Sequence, residues 1–320
     1  MGGQKPKIKD VGEFGLIDLI TRDTNDPSII KGIGDDCAVI ETNGLQVLTT
    51  DCMVEGDHFN RAWFSPEQIG MKAIEVNVSD IAAMGGRPRF VLVSLSLPTS
   101  LEVDFVERLY NGMWQSCREY GINIIGGNMS RSEQIVVNIT LIGEVERPNL
   151  SLRGDAQPGD SIFVTGHLGN GRAGLRLFQT GMKGFEKIRR LYTEPKSQLE
   201  KAMLLGPYVH AMEDISDGLA SEIKHICDAS GYGARIQKEE IPIHEEVRQI
   251  AAELGEDEHE YALGGGEDFQ LVFTVPERNL GDVDGFILGE ITEDPEIKIC
   301  HDNEEVSIGA SGYDQFANHI

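Results

Sequence analysis

The chain has 320 residues, enough for two domains of ordinary size, each with its own core. Hydrophobic residues make up 40% and charged residues 25%, which excludes collagenous, disordered and disulfide-scaffold classes. Lys and Arg number 28 against 53 Asp and Glu; the formal net charge of −25 leaves no basic footprint for nucleic acid and raises the question of whether carboxylates converge on metal ions.

The first ten residues are polar and lack the apolar stretch of a signal peptide. Five cysteines, Cys37, Cys52, Cys117, Cys227 and Cys300, form no CxxC pair and read as reduced core thiols, so a cytoplasmic protein is expected. Residues 37–41 and 45–50 are β-rich runs around Asn43-Gly44, which predicts a hairpin ending in Asp51. Ser65-Pro66-Glu67-Gln68 combines an N-cap, a proline at the first helical position and a capping-box glutamine. A helix is predicted from there to about Met84, before Gly85-Gly86, with Ile69, Ala73, Ile74, Val78, Ile81 and Ala82 on its buried face.

Next come a buried strand over 90–97, an amphipathic helix over 101–120 stopped by Gly121, and a strand over 134–142. The run 90–97 is the longest apolar stretch and is far short of the ~20 residues of a membrane-spanning helix, so no membrane partner is expected. The pattern dissolves near 148–158 into Asn, Ser, Gly, Asp and Pro, which divides the chain into domains 1–148 and 149–320. In the second, strands are predicted near 161–165, 234–236, 269–275, 286–291 and 297–300, with helices near 172–180, 197–212 and 218–230. The fold class is α+β or α/β, with mixed sheets and flanking helices, and no fixed-period repeat is present.

Acidic motifs sit where strands give way to loops or helices: Gly34-Asp35-Asp36, Thr49-Thr50-Asp51, Asn77-Val78-Ser79-Asp80, Asp214-Ile215-Ser216-Asp217-Gly218 and Gly264-Gly265-Gly266-Glu267-Asp268. Each alone reads as a turn or an N-cap. Together, Asp beside Ser or Thr offers the hard oxygen ligands that Mg²⁺ takes. Asp80 stands among apolar neighbours on its helix and needs either a hydrogen-bonding partner in the core or a metal. Residues 164–171 form a strand, a Gly-rich loop and a helix start that could hold an anion, but without a P-loop lysine or dinucleotide spacing a structural turn is the better reading. His58 has no partner at zinc spacing, and Ser216 lacks the nucleophile elbow of a hydrolase.

The ordered set of motifs resembles the thiamine-monophosphate kinases, a family of the aminoimidazole ribonucleotide synthetase superfamily of ATP-dependent enzymes. The matching text is IGDDCAV (33–39), TTDCMVEGDHF (49–59), KAIEVNVSDIAAMGGRP (72–88), IGGNMSRS (125–132), RGDAQPGD (153–160), DISDGL (214–219), LGGGEDFQLVFTV (263–275) and GYDQF (312–316). The resemblance implies a two-domain fold of that superfamily, with an N-terminal domain for ATP, Mg²⁺ and homodimerisation and a C-terminal α/β domain completing the active-site cleft. It implies transfer of the γ-phosphoryl group of ATP to thiamine monophosphate, with several Mg²⁺ ions. Carried over, Asp36, Thr49, Thr50, Asp51, Asp80, Asn128, Asp214 and Asp217 are the expected metal ligands; Tyr110, Gly127, Asn128, Arg153 and Ser216 the ATP contacts; and His58, Glu267 and Tyr313 the contacts to the thiamine moiety. The family usually has GGD where this chain has Gly126-Gly127-Asn128, so one metal site loses a formal charge.

A phosphate acceptor is already nucleophilic, so no general base and no phosphoenzyme are expected. Two rival readings exist: another ATP-using synthetase of the superfamily, and a non-catalytic acidic protein that binds metal. Residues 1–10 hold no reactive cysteine of the selenophosphate synthetase kind, and no EF-hand loop is present.

Overall fold

A computed structural model describes residues 6–22, 26–33, 37–302 and 304–307. The chain divides into two compact units, one made of Met1–Ile81 and Arg87–Val145, the other of Ala82–Gly86 and Glu146–Ile320.

In the first unit the elements run α1 (Ile8–Ile20), β1 (Ile29–Lys31), β2 (Val39–Ile40), β3 (Leu45–Val54), α2 (Pro66–Ala83), β4 (Arg87–Leu97), α3 (Val103–Tyr120), β5 (Asn123–Arg131) and β6 (Val136–Val145). Four strands form a sheet in the order β3-β6-β4-β5. β3 pairs antiparallel with β6 along its whole length, from Leu45 opposite Val145 to Val54 opposite Val136. β4 pairs antiparallel with β6 and parallel with β5. Strand alternation gives the sheet one buried face, carrying Val91, Val93 and Leu95 of β4 and Val137, Ile139 and Leu141 of β6. α2 starts as the sequence predicts: the Ser65 N–H donates to Gln68 Oε1 (2.9 Å), and the Gln68 N–H to Ser65 Oγ (3.2 Å). Its six predicted core residues are all buried. α2 and α3 meet at two glycines. A Cβ on Gly70 would lie 2.0 Å from the Leu109 carbonyl oxygen, and one on Gly112 2.0 Å from that of Glu67.

The second unit contains β7 (Ser161–Val164), α4 (Asn170–Thr180), α5 (Glu186–Thr193), α6 (Leu199–Leu205), β8 (Met212–Asp214), α7 (Leu219–Ser230), β9 (Gly233–Gln237), α8 (Glu245–Leu254), α9 (Glu258–Gly264), β10 (Leu271–Val275), β11 (Phe286–Thr292), β12 (Ile297–His301) and β13 (Glu304–Ser307). Its sheet has the order β13-β12-β9-β11-β7-β10-β8, antiparallel except between β12 and β9. Residues from α4, α7, α8, α9 and the central strands form one apolar cluster.

Three expectations are corrected. The hairpin of 37–41 with 45–50 does not form: β2 pairs with β1, and the ten residues of β3 find a ladder of equal length in β6. The helix expected over 197–212 stops at Leu205, because Pro207 after Gly206 cannot continue it, and the chain re-enters the sheet as β8. Of the five thiols only Cys117 and Cys227 are buried, whereas Cys37 and Cys52 are exposed.

Candidate active site

In the first unit the site residues stand on β3, α2 and β5. Alternation along β3 splits the Thr49-Thr50-Asp51 motif between the two faces of the sheet. Thr49 and Asp51 are paired with the buried-face residues Leu141 and Ile139 and lie on the side that α2 covers. There the Thr49 hydroxyl donates to Asp80 Oδ2. One turn earlier on α2, buried Asn77 accepts the Asp51 N–H at Oδ1 (3.2 Å) and donates from Nδ2 to the Ala73 carbonyl (3.0 Å). A strand hydroxyl is thus one partner of Asp80, which is itself half-buried. Thr50 points the other way: its hydroxyl donates to the Ile139 carbonyl (2.9 Å) and lies 3.2 Å from the Thr140 hydroxyl.

Gly127 and Asn128 are exposed on β5, with Asn128 opposite Ser94. Two strands separate β5 from β3, a distance of roughly 14 Å at the usual strand spacing. Within this sheet Asn128 and Asp51 cannot share one ion. Tyr110, on α3, is 7% exposed, and burial pushes its phenol well above the usual range. His58 accepts the Val54 N–H at Nδ1 (3.2 Å). The His58 carbonyl receives the Nζ of Lys72 (3.1 Å), a buried lysine that also sits 5.3 Å over the Phe64 ring. Sequence reasoning missed Lys72, though a lysine inside an apolar helical run was the signal. Asp36 and Tyr313 lie outside the described residues.

In the second unit three segments converge: 166–171 before α4, 214–218 before α7 and 264–269 before β10. The Glu267 N–H donates to the Ser216 carbonyl (2.7 Å), and the Phe269 N–H to that of Ile215 (2.9 Å). Asp268 is buried and takes the Gly169 N–H on Oδ2 (2.6 Å) and the Gly171 N–H on Oδ1 (3.1 Å). Burial pushes its carboxyl up to about 7 against the pull of these amides. The Gly-rich turn thus already holds an anion of its own chain, which bears out the structural reading over a phosphate cradle.

Around Asp214 and Asp217 the carboxylates outnumber the cations. Glu222 Oε1 takes the N–H groups of Ser216 (3.1 Å) and Asp217 (2.8 Å). Glu213 Oε1 meets Arg153 Nη2 (2.8 Å) and His225 Nδ1 (2.9 Å). The other carboxylate oxygens of Glu213 and Glu222 are buried without a hydrogen-bonding partner. Burial pushes Glu213 up to about 9 and Glu222 up to about 8, and raises Asp217. A buried carboxylate cluster short of positive charge fits a hard divalent cation. Among the described residues, three ligand atoms lie within 4.8 Å of one another at Glu239, His301 and Asp302 and at Asp257, Glu258 and His259; neither group includes an expected ligand. Nor, among them, is any helix long and apolar enough to cross a membrane.

Comparison with known proteins matches residues 34–145 to the N-terminal domain and 157–301 to the C-terminal domain of the AIR synthase related proteins. The thiamine-monophosphate kinase of Aquifex aeolicus is 42% identical over 275 residues, covering 84% of this chain and 88% of its own. That of Bacillus subtilis is 39% identical over 274 residues, covering 82% and 83%. A solved structure of AaThiL complexed with AMPPCP and TMP is 37% identical with a TM-score of 0.78, covering 97% of this chain and 100% of that one.

Proposed function

Because this chain belongs to the thiamine-monophosphate kinases, within the AIR synthase related proteins, we propose that it transfers the γ-phosphoryl group of ATP to thiamine monophosphate, giving thiamine diphosphate and ADP. The observation that carries this reading is the match over 97% of the chain to a relative complexed with AMPPCP, an ATP analogue, and TMP.

The described site residues offer hydroxyls, carboxylates and cations but no Ser–His or Cys–His pair, which suits direct in-line transfer between two phosphates without a covalent intermediate. Donor and acceptor repel each other and the carboxylates around them; each pair of unit charges 4 Å apart costs about 4 kcal/mol at an effective dielectric of 20. Mg²⁺ ions, when bound, supply the neutralising charge. Thr49, Asp51 and Asp80 would hold one group of ions and Asp214 and Asp217 another, with Asp36, Thr50 and Asn128 as further ligands. Arg153, Ser216, Tyr110 and Gly127 take the ATP end. His58, Glu267 and Tyr313 take the thiamine end, where a carboxylate favours the cationic thiazolium.

β3 ends the order of its sheet among the described residues, and Leu48, on its face away from α2, is 66% exposed; both support a homodimer through the first unit. The unpaired cysteines support a cytoplasmic location. Light scattering should report about twice the 35.2 kDa chain mass. The deciding experiment measures ATP turnover with and without thiamine monophosphate. Turnover that depends on the acceptor, with thiamine diphosphate as product, supports the reading; acceptor-independent turnover or none removes it.

A further inference from the structure

We propose that Asp268 is a positioning residue: its carboxylate locks the turn at the start of α4 to the loop before β10 and thereby fixes how Glu267 faces the cationic ring of the acceptor. The inference rests on the placement of Glu267 at the thiamine end.

Asp268 stands between two residues in the left-handed region, Glu267 at φ 56° and Phe269 at φ 48°. Neither is glycine, so this conformation persists because the surroundings over-determine it. The backbones of Glu267 and Phe269 are tied to the Ser216 and Ile215 carbonyls on one side. On the other, the Asp268 carboxylate, 7% exposed, spans the amides of Gly169 and Gly171, ninety-nine and ninety-seven residues away in sequence. The seam is tight as well as bonded. A Cβ on Gly171 would lie 2.3 Å from the Gly266 carbonyl oxygen and 3.0 Å from the Glu267 carbonyl carbon, and one on Gly266 2.5 Å from the Ser216 carbonyl oxygen. Removing the charge of Asp268 loosens one side of the clamp, and Glu267 is the half-buried side chain the clamp orients.

The test is a cycle in the full-length enzyme: Asp268→Asn, Glu267→Gln and the double variant, each with separate kcat and KM values for both substrates and a thermal melt. If Asp268 acts through Glu267, Asp268→Asn raises the KM for thiamine monophosphate about tenfold while kcat and the KM for ATP stay within about twofold, and the double variant is no worse than the poorer single one. A fall in Tm with an unchanged acceptor KM, or losses that multiply in the double variant, makes Asp268 a helix cap only and overturns the inference. If Glu267→Gln leaves the acceptor KM unchanged, the placement of Glu267 fails and the inference with it; if Glu267→Gln raises it and Asp268→Asn does not, the inference alone fails. Should Asp268→Asn not fold, Gly171→Ala presses on the same seam without altering charge, and the same cycle with Glu267→Gln decides.

Discussion

The hydroxyl of Thr49 on β3 donates to the carboxylate of Asp80 on α2, joining positions thirty-one residues apart. Around Asp80 the helix is buried, with Val78, Ile81 and Ala82 apolar and Asn77 and Ser79 polar, a setting in which an unpartnered carboxylate is costly. The Thr49 hydroxyl orients one oxygen of the group, and a carboxylate with two oxygens can accept more than one bond. An asparagine could keep the Thr49 bond while losing the charge. Asp80→Asn should therefore melt within a few degrees of the parent yet turn over at least about 100-fold more slowly, a deficit of about 2.7 kcal/mol in the barrier. Asp51→Asn should behave alike, since the backbone N–H of Asp51 keeps its bond to Asn77 whatever the side chain. Thiamine diphosphate production across a Mg²⁺ titration checks both; near-normal rates in either would remove that residue from the ligand set.

Asn128 presents the opposite case, an amide where relatives of the family usually have a carboxylate. Lying across the sheet from β3, it would serve an ion of its own. An amide keeps one carbonyl oxygen for Mg²⁺ but brings no charge, which weakens the metal and also lessens repulsion toward phosphate. The loss of charge dominates for a hard dication. Asn128→Asp should lower the Mg²⁺ concentration for half-maximal rate by about threefold or more at saturating substrates. An unchanged or higher requirement withdraws Asn128 as a ligand.

Where the signal was local, the sequence sufficed. The capping box at Ser65 and Gln68 and the buried face of α2 are as the spacing predicts. Where the signal depends on a distant partner, it did not. Asp268 reads as one more acid in GGGED, because the amides it binds lie far upstream. Glu222 reads as a helix residue, although it holds the loop before its own helix. β5 was obscured by Gly126, Gly127 and Asn128, poor strand formers that tolerate this edge because β4 supplies the ladder. Pro207 ends α6 inside the helix expected over 197–212, a local breaker signal outweighed there by the apolar periodicity on either side.

The crossing of α2 and α3 makes a stability prediction. Gly112→Ala should gain about 1 kcal/mol from helix propensity, but its Cβ would fall 2.0 Å from the Glu67 carbonyl oxygen, a backbone atom that cannot swing aside. Overpacking of that kind costs about 1–3 kcal/mol, and this contact belongs at the severe end. A net loss of about 2 kcal/mol in urea unfolding is expected. A stabilised variant would mean that the two helices are free to separate.

The last prediction concerns pH. His167 and His244 stack with ring centroids 3.9 Å apart and planes 6° from parallel, and Phe286 meets His167 edge-on. Burial first, then repulsion from His167 and Lys187, holds His244 down to about 4, and His167 is lowered too, chiefly by burial. An unfolded histidine titrates near 6.5, so between roughly pH 6.5 and 4 the unfolded chain binds protons that the folded chain refuses. Stability is then complete above the unfolded value and falls as the pH drops toward the folded one. His244→Phe keeps an aromatic face for His167 and removes one titrating group. Its Tm should fall less than the parent's between pH 7 and pH 5, with the two proteins otherwise sharing the same carboxylate titrations. Melting curves in buffers of matched ionic strength check this. Parallel losses in the two proteins would show that His244 takes up its proton in the folded chain as readily as in the unfolded one.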